Sequence, residues 1–374
     1  MPEGSLISFF SNKVKQDGGI NFAQGIPGYK PPQELLNILH EVIDTDIHQY
    51  APGKGNNLLL ELLTEHYKEY YSAKKDDFLI LQGATEAISL VFTYLHNKIG
   101  KKYSVLAINP VYESYNNLPK IFNNNFIAFH LNNDGTIDFE LLRRAIIINN
   151  VKIIFISSPG NPYGKVFTKD EQKKILQLAK KINVYVIFDA VYKDLYYHEK
   201  PFIPLKNLDE NLFYVNSFSK MLSITGWRVG YLIAHKKHMS NIQKIHDYIG
   251  LCAPSLLQEA IAQYLDKYNY AENYLKEIRK KLNTSYKLMS EALVNLGFRV
   301  PDTDGGYFIW SELPHKFADG FDFAIELYEK EKVAVIPGIH FSEKGKRYIR
   351  FNIAREEQEI KKGIQGIKRF VGKV

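Results

Sequence analysis

Residues 151–189 read VKIIFISSPGNPYGKVFTKDEQKKILQLAKKINVYVIFD, and this stretch decides the fold class. Two apolar, β-branched runs, VKIIFIS (151–157) and VYVIFD (184–189), enclose a helical segment. Such short, near-continuous runs suit strands covered on both faces. Thr168 followed by Glu171 is a capping box, and Ile175, Leu178, Ala179 and Ile182 share one face of the helix it starts. Strand, helix and strand in this order are how a βα-type unit reads.

The same texture continues on either side. YSVLAIN (103–109), LFYVN (212–216) and VGYLIA (229–234) are further strand-like runs, and a helix from about Ala84 carries the stripe Ile88, Val91, Phe92 and Leu95. Together they predict a large α/β domain on a mostly parallel sheet, residues 45–268. After about residue 268 the chain changes to a long charged helical stretch (271–296), GGYFIW, a helix near 321–331, VAVIP and RYIRFNIA. This predicts a smaller α+β domain, residues 269–374. The opening residues 1–44, with the turn-rich GIPGYKPP, are too few for a domain of their own and are expected to pack onto the smaller unit.

Composition narrows the function classes. Of 374 residues 45% are apolar and 24% charged, the balance of a globular protein. No run reaches the roughly 18 apolar residues of a membrane span, so no membrane is expected. The net charge of +7 favours anions. Its lysine pairs, at 74–75, 101–102, 173–174, 236–237 and elsewhere, are scattered, which argues against nucleic acid. Cys252 is the single cysteine, so no internal disulfide is available and a reducing, cytoplasmic setting is expected. There is no P-loop, and Gly53-Lys54-Gly55 lacks the third glycine of a dinucleotide fingerprint. His235 and His238 have no carboxylate or third ligand nearby, so they read as a surface turn and no metal is expected.

The segment SFSKMLSITGWRVG (217–230), between two strand-like runs, is the most informative. It closely resembles the lysine motif S-x-S-K-x-x-x-x-x-G-x-R-x-G of the class I and II aminotransferase family, fold-type I enzymes that use pyridoxal 5'-phosphate. The resemblance covers about residues 20 to 355, with motifs in family order. It implies a Schiff base between Lys220 and the cofactor aldehyde, since lysine offers a primary amine on a flexible stem. Arg228 presents a planar fork of donors to a phosphate, and Ser217 and Ser219 add hydroxyls.

Other motifs agree. Gly83-Ala84-Thr85 lies where the run FLILQ meets a helix start, a natural phosphate cradle of free N–H groups. By resemblance Asp189, at the end of a strand, faces the pyridinium nitrogen and keeps the ring an electron sink, while Tyr192 donates to its phenolic oxygen. Asn161, in SPGNPYG, would bond the same oxygen and the substrate carboxylate, and Tyr112 would stack on the ring. Arg350 in RYIRFNIA matches the family's carboxylate-binding arginine; Arg347 and Arg355 are out of register and read as surface residues. The loop Gln24-Gly25-Ile26-Pro27-Gly28-Tyr29 is similar to the substrate loop of methionine, kynurenine and aromatic amino-acid aminotransferases, with Gly25 approaching the ligand. Tyr50 resembles the tyrosine that reaches the partner subunit's phosphate, which implies a homodimer.

Two departures stand out: Leu60 replaces a common arginine, and Gly160 sits where relatives usually carry Asn. The expected activity is amino-group transfer from an apolar, sulfur-containing or aromatic α-amino acid to a 2-oxo acid. Carbon–sulfur β-lysis is the alternative on the same fold. A non-catalytic cofactor-sensing regulator is the second, disfavoured because the forty residues ahead of the fold leave no room for a DNA-binding domain.

Overall fold

The computed structural model describes residues 4–100, 102–132, 134–206 and 208–373. Its centre is a seven-stranded sheet in the order Phe78–Leu81, Gly230–Ala234, Leu212–Ser217, Tyr185–Asp189, Val151–Ser157, Ser104–Asn109, Asn125–His130. Gly230–Ala234 runs antiparallel to both neighbours, and every other pairing in the sheet is parallel. The fold is therefore α/β on a mostly parallel sheet, as the βα texture predicts.

The near-continuous apolar runs have a simple cause. Ile154, Ile156, Val186 and Phe188 face one hydrophobic core, and Ile153, Phe155, Ile187 and Val215 face a second on the opposite side. Alternation disappears because both faces are buried. Each such side chain contributes about 1.5–3 kcal/mol when fully removed from water. The edge strand Asn125–His130 is different: its sequence NFIAFH holds four apolar residues in a row, yet at the sheet's edge most of them are half-buried or exposed.

The helix Lys169–Lys181 starts at the expected box. Thr168 Oγ1 accepts from the Glu171 N–H at 3.1 Å, and Glu171 accepts from the Thr168 N–H at 2.8 Å. Helix Ala84–Ile99 begins at Gly83 and packs beside the same sheet. Beyond it, Ile336–Pro337, Tyr348–Asn352 and Phe308–Glu312 form an antiparallel three-stranded sheet. Ile20–Asn21 pairs in parallel with Val333–Ala334, so the opening segment is stitched to the last hundred residues.

Two sequence expectations are corrected. His238 is buried, with Nδ1 2.7 Å from the Tyr94 hydroxyl and Nε2 2.9 Å from the Glu210 carbonyl, while His235 caps helix Lys236–Ile249. Together they are a helix start, because its first turn packs on the core. Arg355 is also buried and donates to the carbonyls of Asn21 and Ile26, which fastens the 24–29 loop, and half-buried Arg347 donates to those of Phe317 and Leu313. Among the described residues no helix is long and apolar enough to cross a membrane.

Candidate active site

Parallel strands in register end together. Ser157 pairs with Asp189, and Asp189 with Val215, so the side chains that follow these runs meet at the carboxyl edge of the sheet. Ligands of open α/β sheets bind at this edge. A cavity of about 280 Å³ lies there.

Lys220 stands in the short helix Phe218–Met221, immediately after the strand Leu212–Ser217. Its Nζ donates to the Gly25 carbonyl at 2.7 Å and sits 5.8 Å from the centre of the Tyr192 ring. Burial, with the Arg350 and Arg228 guanidinium groups, lowers the ammonium from 10.5 to about 8, and Asp189 opposes the shift. Desolvation and neighbouring cations both disfavour the charged form, which is how a lysine becomes nucleophilic near neutrality.

Asp189 is buried, and its Oδ2 accepts from the Tyr115 hydroxyl at 2.6 Å while Oδ1 accepts from the Val191 N–H at 3.1 Å. Burial raises its pKa; the two hydrogen bonds and Lys220 pull the other way. Among the described residues no cation pairs with it directly. A carboxylate buried this way is suited to a cationic group arriving from the cavity, such as a protonated ring nitrogen.

At one end of the cavity lie Ala84, Thr85, Ser217, Ser219 and Arg228. Arg228 Nη1 donates to the Thr225 carbonyl at 2.9 Å and Nη2 to that of Gln82 at 3.3 Å, with no carboxylate partner among the described residues. Gly83 has a φ of +83°, and a Cβ there would lie 2.7 Å from Arg228 Nη2. The left-handed φ favours glycine here, and the absent side chain leaves the guanidinium room beside the first N–H groups of helix Ala84–Ile99. Free amides, three hydroxyls and an unpaired guanidinium form an anion cradle fitted to a phosphate.

At the other end, Arg350 is fully buried on strand Tyr348–Asn352, its guanidinium 4.4 Å from the Phe308 ring and 4.8 Å from that of Phe341. Nη1 donates to Asn161 Oδ1 at 2.9 Å, Nη2 donates to the Ala23 carbonyl, and Nε has no partner among the described residues. Burial pushes its pKa down to about 10. An unpaired buried donor costs about 1–3 kcal/mol, which an incoming carboxylate oxygen removes. Because Asn161 Oδ1 is engaged, its amide N–H groups remain to donate into the cavity.

Tyr112 and Tyr192 complete the walls, Tyr192 packing edge-on against Tyr307 at 5.3 Å and Phe308 at 5.7 Å. Twelve of the residues singled out in the sequence, from Gly25 to Arg350, thus line one cavity, and Gly83 borders it through Arg228. Tyr50 does not reach it: the side chain is 81% exposed in a separate surface recess with Gln82 and Cys252. At Gly160, where relatives usually carry Asn, a Cβ would lie 2.7 Å from the Tyr163 carbonyl oxygen, so this turn closes too tightly for a side chain.

The sequence reading passes over Tyr115, Glu113 and Ile7, which also line the cavity. Tyr115 stands three residues after Tyr112, a helical spacing that was available as a signal. Ile7 comes from helix Leu6–Asp17, and no local pattern announces that contact.

The sequence pattern described as "Aminotransferase class I and II" matches residues 17–367. The chain belongs to this family. It is accordingly a pyridoxal phosphate-dependent aminotransferase of fold type I. Among its relatives, a probable aspartate aminotransferase of Methanocaldococcus jannaschii is 29% identical over 358 residues, 93% of this chain and 92% of that one. The structure of N-succinyldiaminopimelate aminotransferase from Mycobacterium tuberculosis has a TM-score of 0.90 at 25% identity, covering 98% of this chain and 97% of that one. A Methanococcus jannaschii protein described as similar in its active site to kynurenine aminotransferases has a TM-score of 0.87 at 26% identity, covering 99% and 97%.

Proposed function

We propose that this aminotransferase takes the amino group from an α-amino acid with an apolar, sulfur-containing or aromatic side chain and passes it to a 2-oxo acid. The observation that carries the reading is the Lys220 amine, drawn toward neutrality, in one cavity with the unpaired Nε of Arg350. The donor class is supported by Ile7, Ile26 and Tyr112 in the walls. It is also supported by the cavity's guanidinium groups, Arg228 and Arg350, neither of which is spare for a second carboxylate.

Pyridoxal phosphate, when bound, supplies an aldehyde and an electron-accepting ring. Arg228, Thr85, Ser217, Ser219 and the amides after Gly83 would hold its phosphate. Asp189, steadied by the Tyr115 hydroxyl and the Val191 N–H, would offer its carboxylate to the ring nitrogen. Tyr192 and the Asn161 amide would donate to the phenolic oxygen, and Tyr112 would pack on the ring. Arg350 grips the substrate α-carboxylate. The amine of Lys220 takes the proton from the substrate α-carbon as general base and delivers one as general acid.

The reading includes a homodimer with Tyr50 contributed across the interface. Tyr50, Tyr248, Ile249 and Leu251 are exposed, and Gln82 links that surface to the phosphate end. Gln82 donates to the carbonyls of Gly250 and Cys252 and accepts from Arg228. The proposed units are 45–268 and 1–44 with 269–374, supported by the Ile20–Asn21 pairing. The lone free Cys252 supports a cytoplasmic setting.

Amino transfer from methionine, phenylalanine, tyrosine, kynurenine and aspartate to pyruvate and 2-oxoglutarate tests the proposal. Faster turnover of the first four than of aspartate is expected. Preference for aspartate would overturn the donor class. Pyruvate and ammonia released without an oxo-acid acceptor would replace transamination with β-lysis.

A further inference from the structure

Glu113 opens helix Glu113–Ile121, directly after Tyr112, and its carboxylate lines the cavity. Its Oε2 accepts from the Ser5 hydroxyl at 3.0 Å and lies 3.1 Å from His340 Nε2. Oε1 has no hydrogen-bond partner among the described residues. The His340 contact holds the carboxyl below its ordinary value against the effect of burial, with Ser5 and Arg350 adding to it, so Glu113 is ionised at neutral pH.

Its position is as informative as its charge. Glu113 also borders a second recess of about 590 Å³, which includes Asn116, Asn117 and His340. The carboxylate therefore stands where the active-site cavity meets that recess. An ionised carboxylate only accepts hydrogen bonds. A ligand held at Arg350 by its α-carboxylate meets a negative wall here, and like charges brought together in a partly desolvated site are strongly disfavoured.

We propose that Glu113 is a specificity-determining residue of the transamination site. It admits amino acids and oxo acids whose side chain is neutral or ends in an N–H or O–H donor, and it rejects those carrying a second carboxylate. This rests on the reading of Arg350 as the α-carboxylate anchor and deepens it by naming what the Glu113 side of the cavity selects.

Binding of two non-reacting acids to the holoenzyme separates the two claims. By calorimetry, wild type should bind 3-phenylpropionate about tenfold or more tighter than succinate, and Glu113→Gln should tighten succinate about tenfold while moving 3-phenylpropionate less than about twofold. Ser5→Ala, which removes a partner of Glu113 without altering charge, should leave the ratio of the two affinities as in wild type. Succinate affinity unchanged in Glu113→Gln, with 3-phenylpropionate still bound, overturns the role of Glu113 alone. Failure of wild type to bind either acid overturns the Arg350 anchor and the selection built on it.

Discussion

The Tyr115 hydroxyl donates to Asp189 Oδ2 across 2.6 Å at the sheet's carboxyl edge, where both residues are buried. The ring that carries this hydroxyl is itself fixed, stacked on Phe155 with centroids 4.7 Å apart and planes 6° from parallel. A strand residue of the core thus sets the direction from which a buried carboxylate is stabilised. Removing the bond leaves Asp189 with the Val191 N–H as its remaining donor.

Tyr115→Phe is expected to raise the Asp189 pKa further, because burial already raises it and a counteracting donor is lost. Hydrogen bonds to charged groups contribute about 1.5–3 kcal/mol, so kcat should fall about tenfold or more. The acid limb of the kcat profile should shift upward. A variant with an unchanged pH profile would refute this coupling.

Lys220→Ala should abolish turnover, with a loss of about five orders of magnitude, while circular dichroism stays as in wild type. Borohydride treatment of the holoenzyme should add mass at Lys220 in wild type and none in the variant. An unlabelled wild type would contradict the assignment.

The lowered Lys220 value gives a pH dependence with a definite sign. The neutral amine is the reactive form, so uptake of pyridoxal phosphate by apoprotein should accelerate as pH rises through about 8, well below the 10.5 of a free lysine. Between these values the unfolded chain binds more protons at this residue, so its contribution to stability also rises with pH. Uptake that keeps rising only above pH 10 would remove the argument.

Asp189→Ala should cost far more in kcat than Tyr112→Phe. The first deletes the buried carboxylate that would pair with a cationic ring nitrogen, on the order of 3–5 kcal/mol for a buried charge partner. The second keeps the stacking face and removes one hydroxyl. Comparable losses in steady-state kinetics would reverse the ranking.

Tyr50→Phe should weaken cofactor binding about tenfold, the scale of one hydrogen bond to a charged group, without lowering Tm. Tyr248→Asp, on the same exposed surface, should yield monomers in sedimentation together with reduced cofactor affinity. A monomeric wild type with full activity would refute the shared site.

Much of this was legible in the chain because it rests on local chemistry. Continuous apolar runs marked strands buried on both faces, Thr168 and Glu171 marked a helix start, and the 217–230 segment kept lysine, hydroxyls and guanidinium at short, fixed spacings. Asn125–His130, NFIAFH, is passed over in the sequence reading although Phe126 to Phe129 form an apolar run; that it is an edge strand, mostly half-buried or exposed, is decided by the sheet order. Arg355 and His238 were misread because neither spacing nor composition reveals which carbonyls a buried cation or imidazole will meet.

Residue types and their order alone marked the strand runs, the helix start at Thr168 and the lysine, hydroxyls and guanidinium of the 217–230 segment, since each depends on neighbours a few positions away. The folded chain decided what spans long separations. Lys220 lies against Gly25, Arg350 against Asn161 and Ala23, and Ser5 against Glu113, pairs 108 to 327 residues apart. Such contacts arise when separate elements close on one another, so the shape and charge of the cavity around Arg350 and Glu113 belong to packing and to no motif.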